Sequence, residues 1–164
     1  MFHFDKNFGL FLGHISDNTY HKHYALQISI SINSKIKLSV KSENELFGNA
    51  FFINSKVEHK LICKTNQLTI LINPLSSIGH QFYLQFGSTN FSELDKILSK
   101  KLIEALNLFE TSKISFIIFC NLISQILAEY QCTCKFENHL DDQRILNAIK
   151  YMDDNFEKVL SLEE

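Results

Sequence analysis

The residues best suited to do chemistry are three histidines and a glutamine: His21, His23, Gln27 and His59. Side chains an even number of residues apart in an extended strand point to one face. A strand carrying His21, His23 and Gln27 therefore presents all three on the side opposite Leu26, Ile28 and Ile30. His59 stands in an alternating apolar run and shares its face with Val57, Leu61 and Cys63. Three neutral imidazoles gathered in one interior could hold a divalent metal, which makes His21, His23 and His59 the candidate ligands. A polar pocket for a small effector, or histidines with structural roles only, accounts for the same residues. No metal and no cofactor are assigned from the sequence. Tyr24 and His80 are outer candidates for such a pocket. Cys132 and Cys134, with His139 nearby, lack the spacing of a zinc site.

Elements that could position these residues fall into two groups. Residues 1–87 read as strands. Leu26, Ile28, Ile30 and Ile32 alternate with Gln27, Ser29 and Ser31, and Ile36, Leu38 and Val40 alternate again after the turn-forming Asn33-Ser34, so the two runs read as a hairpin. Further strands are expected at residues 8–15, 50–53, 57–63, 67–73 and 81–86. Many short strands with few helical patterns between them predict a barrel or sandwich.

Beyond residue 87 the period changes. Leu94, Ile97, Leu98, Leu102, Ala105, Leu106 and Phe109 recur at three and four residues, which predicts an amphipathic helix over 91–110. Asn90 followed by Glu93 resembles a capping box at its start. After a break at Thr111-Ser112, residues 114–130 form a second helix, apolar over most of its circumference. Such a helix needs burial on more than one side, within its own domain or against a second subunit. Leu98, Leu102, Ile118 and Leu122 are the residues expected to pair across a homodimer. These two helices make up a segment 88–134. From 135 to 164 come a polar link and a third helix over 141–156, opened by Asp141 and Asp142, where the helix dipole favours negative charge. Ser161-Leu162-Glu163-Glu164 starts another capping box, so a further helix is expected to follow.

Composition narrows the functional classes. The 164 residues are 45% hydrophobic and 21% charged, enough apolar material for a core, with a net charge of −2. Nucleic-acid binders carry a basic stripe; here Lys100-Lys101 is the basic pair, set in a mixed helical pattern, so strong DNA binding by these residues alone is not expected. The N-terminus lacks the pattern of a secretory signal, and the apolar stretch 114–127 is too short and too interrupted to span a bilayer. Cys63, Cys120, Cys132 and Cys134 are then expected as reduced thiols in a cytoplasmic protein.

Two stretches match known patterns. The run His21-Lys22-His23-Tyr24-Ala25-Leu26-Gln27, ending at Ser34, has the spacing of the first cupin motif, in which an H-x-H pair is followed by Glu and then Gly; Gln27 stands at the Glu and Ser34 at the Gly. Gly48, Asn54, Lys56 and His59 have the spacing of the second motif. Metal-dependent cupin enzymes add a carboxylate ligand, and Gln27 removes that charge. The His/Ala-Leu-Gln strand, the apolar strand reaching His59, and Asn73-Pro74-Leu75-Ser76-Ser77-Ile78-Gly79 together resemble one branch of AraC-type transcription regulators. Asp142, Arg144, Ile145, Ala148, Ile149, Tyr151, Met152, Asn155 and the segment 160–164 resemble the first helix of the DNA-binding domain of that family and the opening of its second.

The resemblance covers nearly the whole chain. It implies a cupin-like β-barrel at 1–87 that binds a small-molecule effector, two antiparallel helices that dimerise, and a terminal helix belonging to a helix-turn-helix module. The effector site would draw on His21, His23, Tyr24, Gln27, His59 and His80. DNA would be contacted only through the rest of the C-terminal domain, and neither a membrane nor an enzymatic activity is implied. The alternative is a metal-dependent cupin enzyme, a dioxygenase or isomerase. Fold does not fix the ligand: sensors of this family take sugars, aromatic acids and other molecules on one scaffold.

Overall fold

The computed structural model describes residues 1–14, 19–41, 43, 45–134 and 150–151. Among the described residues, nine strands and three helices make up the first unit, Met1–Cys132: β1 Phe2–Phe4, β2 Phe8–Gly13, β3 Leu26–Ile30, β4 Ile36–Val40, β5 Leu46–Gly48, β6 Ala50–Ile53, β7 His59–Ile62, β8 Gln67–Ile72, α1 Ser77–Phe86, β9 Phe91–Glu93, α2 Lys96–Glu110 and α3 Phe116–Ala128. A second unit, Thr133–Glu164, contains Lys150 and Tyr151, which are helical. Most of the expected third helix, 141–156, lies outside the described residues.

The strands form two antiparallel sheets, one of order β1-β2-β8-β3-β6-β9 and one of order β5-β4-β7. Alternation along the strands of the larger sheet sorts its side chains to two faces. Leu26, Ile28 and Ile30 of β3, with Phe52, Leu68, Ile70 and Ile72, form one core with Ile78 and Phe82 of α1, Leu98, Leu102 and Leu106 of α2, and Phe119, Ile123 and Leu127 of α3. The opposite face turns toward the smaller sheet. There Phe51 and Ile53 of β6 pack with Ile36, Leu38, Val40, Leu61 and Cys63. Helices, large sheet and small sheet are thus stacked, and every residue of β3 is buried because both of its faces are covered. The two long helices are present in a mixed β and α fold with two sheets, but the hairpin expected of residues 26–32 and 36–40 does not form. β3 lies between β8 and β6 in the larger sheet, and β4 lies between β5 and β7 in the smaller one, so the turn after β3 carries the chain from one sheet to the other.

Several sequence expectations are corrected. Residues 81–86 belong to helix α1 and not to a strand. Phe82, Leu84 and Phe86 alternate as in a strand, but Ile78, Phe82 and Phe86 also recur every four residues, and Ser76 caps the helix by accepting from Gly79 N at 3.0 Å. The helix expected from 91 begins at Lys96. Phe91–Glu93 instead pairs with β6 as an edge strand, and Asp95 is the cap, accepting from Ile97 N and Leu98 N. This strand lies beyond residue 87 and belongs to the larger sheet. The second long helix is shorter than expected, Phe116–Ala128, with Ser115 as its cap. Leu98 and Leu102 are both 0% exposed in the core between α2 and the sheet, which leaves them no surface for a second subunit. Leu122 packs partly buried against that core, while Ile118 is 49% exposed.

Candidate functional site

The chain before β3 passes from one sheet to the other. His21 and His59 exchange backbone hydrogen bonds, each amide donating to the other carbonyl at 2.9 Å, and Lys56 N donates to His23 O at 2.8 Å. Residue 21 is therefore paired beside β7 of the small sheet, and six residues later Gln27 sits within β3 of the large one. This crossing gathers the three imidazoles. Ring centroids of His21 and His59 are 4.6 Å apart, those of His23 and His59 5.4 Å, and those of His21 and His23 5.8 Å.

Each ring is oriented by a backbone carbonyl two residues away. His59 Nδ1 lies 2.8 Å from Val57 O, His23 Nδ1 3.0 Å from Ala25 O, and His21 Nδ1 a longer 3.4 Å from Thr19 O. A carbonyl only accepts, so each contact favours the ring proton on Nδ1 and leaves Nε2 as the nitrogen that turns away from the main chain, at His23 toward Gln27. One ring nitrogen from each histidine lies within 4.8 Å of the others. This donor set, with the second nitrogen anchored to the main chain, fits zinc, cobalt, nickel or copper. Gln27 occupies the side where a carboxylate ligand would be expected, with Oε1 2.8 Å from His23 Nε2 and Nε2 donating to Ser29 Oγ at 2.8 Å. A neutral His23 protonated on Nδ1 accepts a hydrogen bond at Nε2 from the Gln27 amide nitrogen, whereas an imidazolium donates to its oxygen, so the orientation of Gln27 follows the charge on His23.

Beside the histidines a cavity of about 250 Å³ opens between the sheets, lined by Phe11, His21, His23, Gln27, Leu61, Gln67, Thr69 and Leu71. Neighbouring strands supply its floor: Ser29 pairs with Thr69 and Gln27 with Leu71 across β3 and β8, and Phe11 pairs with Thr69 across β2 and β8. Three surface grooves are larger, about 530, 690 and 450 Å³, but they are more open and none includes a residue of the histidine cluster. We take the smaller, less open cavity as the site, because convergent polar groups beside an apolar wall are what orient a bound small molecule.

Farther along the same inter-sheet space, Cys63 is 3% exposed. Burial pushes its thiol up, but hydrogen bonds from Ser31, Ser34 and Thr65 outweigh that and hold it below the ordinary thiol value.

Of the residues singled out in the sequence, His21, His23, Gln27 and His59 are brought together. Tyr24 is not: its side chain is 75% exposed, with Lys56 Nζ over its ring at 5.1 Å. His80 is on α1, outside the cavity lining, with Nδ1 3.1 Å from Cys132 Sγ. Gln67 and Thr69 were missed. Their spacing repeats that of Gln27 and Ser29, a long amide two residues before a hydroxyl on an otherwise apolar strand, and in both pairs the amide nitrogen donates to the hydroxyl.

No family model matches the chain, and no curated protein matches it in sequence. Solved structures similar to it include the apo form of a ToxT variant from Vibrio cholerae, with 10% identity over 97% of this chain and 69% of that one, at a TM-score of 0.49. The AraC-like transcriptional activator CuxR has 11% identity over 96% of this chain and 60% of its own length, with a TM-score of 0.44. An RmlC-like cupin from Shewanella frigidimarina has 18% identity over 42% of this chain and 68% of its own, with a TM-score of 0.30.

Proposed function

We propose that this chain is the sensing part of an AraC-type transcription regulator, with a small-molecule effector bound between the sheets. The observation that carries this reading is the convergence of His21, His23 and Gln27, the residues of the first motif, on one partly apolar cavity between the sheets. The order of the chain supports it: the cavity-bearing sheets precede two packed helices, and the sequence pattern of a helix-turn-helix opening follows. In this reading residues 135–164 belong to the DNA-binding module, α2 and α3 form a homodimer, and the protein works in the cytoplasm. An effector acts by binding one arrangement of subunits or domains more tightly than another, since only differential affinity shifts a population.

The reading is tested by thermal melting of the chain against a panel of sugars, aromatic acids and alcohols. One chemical class should raise the melting temperature, and Gln27→Leu should lose that response while remaining folded. A flat response across the panel counts against a sensor.

A second reading, a cation held by His21, His23 and His59, is favoured by the anchoring of all three Nδ1 atoms to backbone carbonyls. A metal there would supply a Lewis-acidic coordination point for an effector's oxygen or nitrogen. Metal content after purification without chelator decides it: a stoichiometric transition metal that His59→Ala loses supports the cation, and a metal-free, folded protein that takes up no added zinc removes it.

A further inference from the structure

The side chain of Gln67 is 0% exposed, and its Oε1 has no hydrogen-bond partner among the described residues. Its Nε2 donates to Thr69 Oγ1 at 3.2 Å, which leaves the carbonyl end as the part of the amide still to be satisfied. A buried polar atom left without a partner costs about 1–3 kcal/mol, and this one belongs to a residue that lines the cavity. The equivalent atom of Gln27 faces His23 Nε2 at 2.8 Å, so of the two matched amides it is Gln67 that has an acceptor to offer.

The rest of the wall fixes the character of a ligand. Among the described residues the lining holds no lysine, arginine, aspartate or glutamate. A carboxylate placed against Gln67 would meet a carbonyl oxygen, with no fixed cation to offset its desolvation. Phe11 and Leu71, beside the amides on the large sheet, and Leu61, on the small sheet, supply the apolar part of the wall. A cavity of about 150 Å³ holds a benzene ring, so about 250 Å³ admits a ring with a short polar substituent.

Building on the effector-pocket reading above, we infer that the cavity takes a small uncharged ligand. Its hydroxyl or carboxamide end donates to Gln67 Oε1, and its apolar body lies against Phe11, Leu61 and Leu71.

Four probes of matched size test this on the whole chain: benzyl alcohol, benzamide, benzoate and toluene. Each is titrated at pH 8, above the ordinary imidazole range, and followed by NMR shifts of the Gln67 side-chain amide and the methyl groups of Leu61 and Leu71. Benzyl alcohol and benzamide are expected to bind about tenfold more tightly than benzoate or toluene, the effect of satisfying one buried acceptor. Gln67→Met should abolish the preference for benzyl alcohol over toluene while toluene still binds. The ranking in the unaltered chain tests the idea even if that variant fails to fold. Benzoate binding as tightly as benzyl alcohol, or an unchanged preference in Gln67→Met, overturns the ligand class but leaves a ligand pocket in place. No binding by any of the four overturns both the ligand class and the pocket.

Discussion

At Gly79 a methyl group has nowhere to go. A Cβ built there falls 2.1 Å from Asn73 O and 2.8 Å from Pro74 Cα, both backbone atoms that cannot swing aside. Alanine in place of glycine within a helix ordinarily gains about 1 kcal/mol. Here the overlap should outweigh that gain, and Gly79→Ala should cost about 1–3 kcal/mol, read as a lower denaturation midpoint with the slope unchanged. Cys63 gives a prediction of opposite character. Its thiol is held low in the folded chain, so folding favours the thiolate. The resulting stability is present above the unfolded thiol value of about 8.5 and is lost as pH falls through the lower folded value. Relative to Cys63→Ala, the unaltered chain should gain stability between pH 7 and 9.5; parallel curves would show that the hydroxyls around Cys63 do not act on its charge. At this scale the sequence was partly legible. His21, His23 and Gln27 announce themselves as polar residues at even spacing before an apolar strand, whereas Gln67 became visible only once β8 lay beside β3, because burial of a lone glutamine is a tertiary fact.

Where two periodicities or two caps compete, local pattern cannot choose between elements. Residues 78–86 satisfy both a strand and a helix pattern, and the chain resolves the tie through Ser76 and through stacking of Phe82 and Phe86 with Phe52 of β6. Asn90 and Asp95 both resemble caps, and Asp95 prevails because Phe91–Glu93 completes the edge of the large sheet and Leu94 is buried beside it. Long elements were easier. Of the apolar stripe that the sequence period of α2 describes, Leu98, Leu102, Ala105 and Leu106 are buried, while Ile97 faces outward. What that stripe packs against was not legible, and the sheet takes residues expected at a dimer contact. Leu102→Ala should therefore cost about 2–5 kcal/mol, the range for a fully buried leucine, in unfolding free energy at any protein concentration. A loss that disappears on dilution would mean that Leu102 acts between subunits and not within one.

For the molecule as a whole, the question is what the helical layer does with its outer side. α2 and α3 are joined to the sheet through their buried stripes, yet Ile97 is 66% exposed, Ile117 73% and Ile118 49%. Single exposed apolar residues are ordinary, but β-branched isoleucines on the outward sides of two packed helices offer a surface that association could bury. If two copies associate there, a closed two-fold arrangement is the default, because the same patch then buries itself on both subunits. The residues that test it are the outward ones, since a charge at Leu98 or Leu102 would unfold the chain whether or not it dimerises. Ile117→Glu and Ile118→Glu lie near the start of α3, where the helix dipole tolerates an acidic side chain, so each should remain folded. Sedimentation at micromolar concentration should then give a dimer mass for the unaltered chain and a monomer mass for at least one of the variants, with the circular dichroism unchanged. A monomer mass for the unaltered chain across that range, or a dimer that both variants retain, would place any association elsewhere on the molecule.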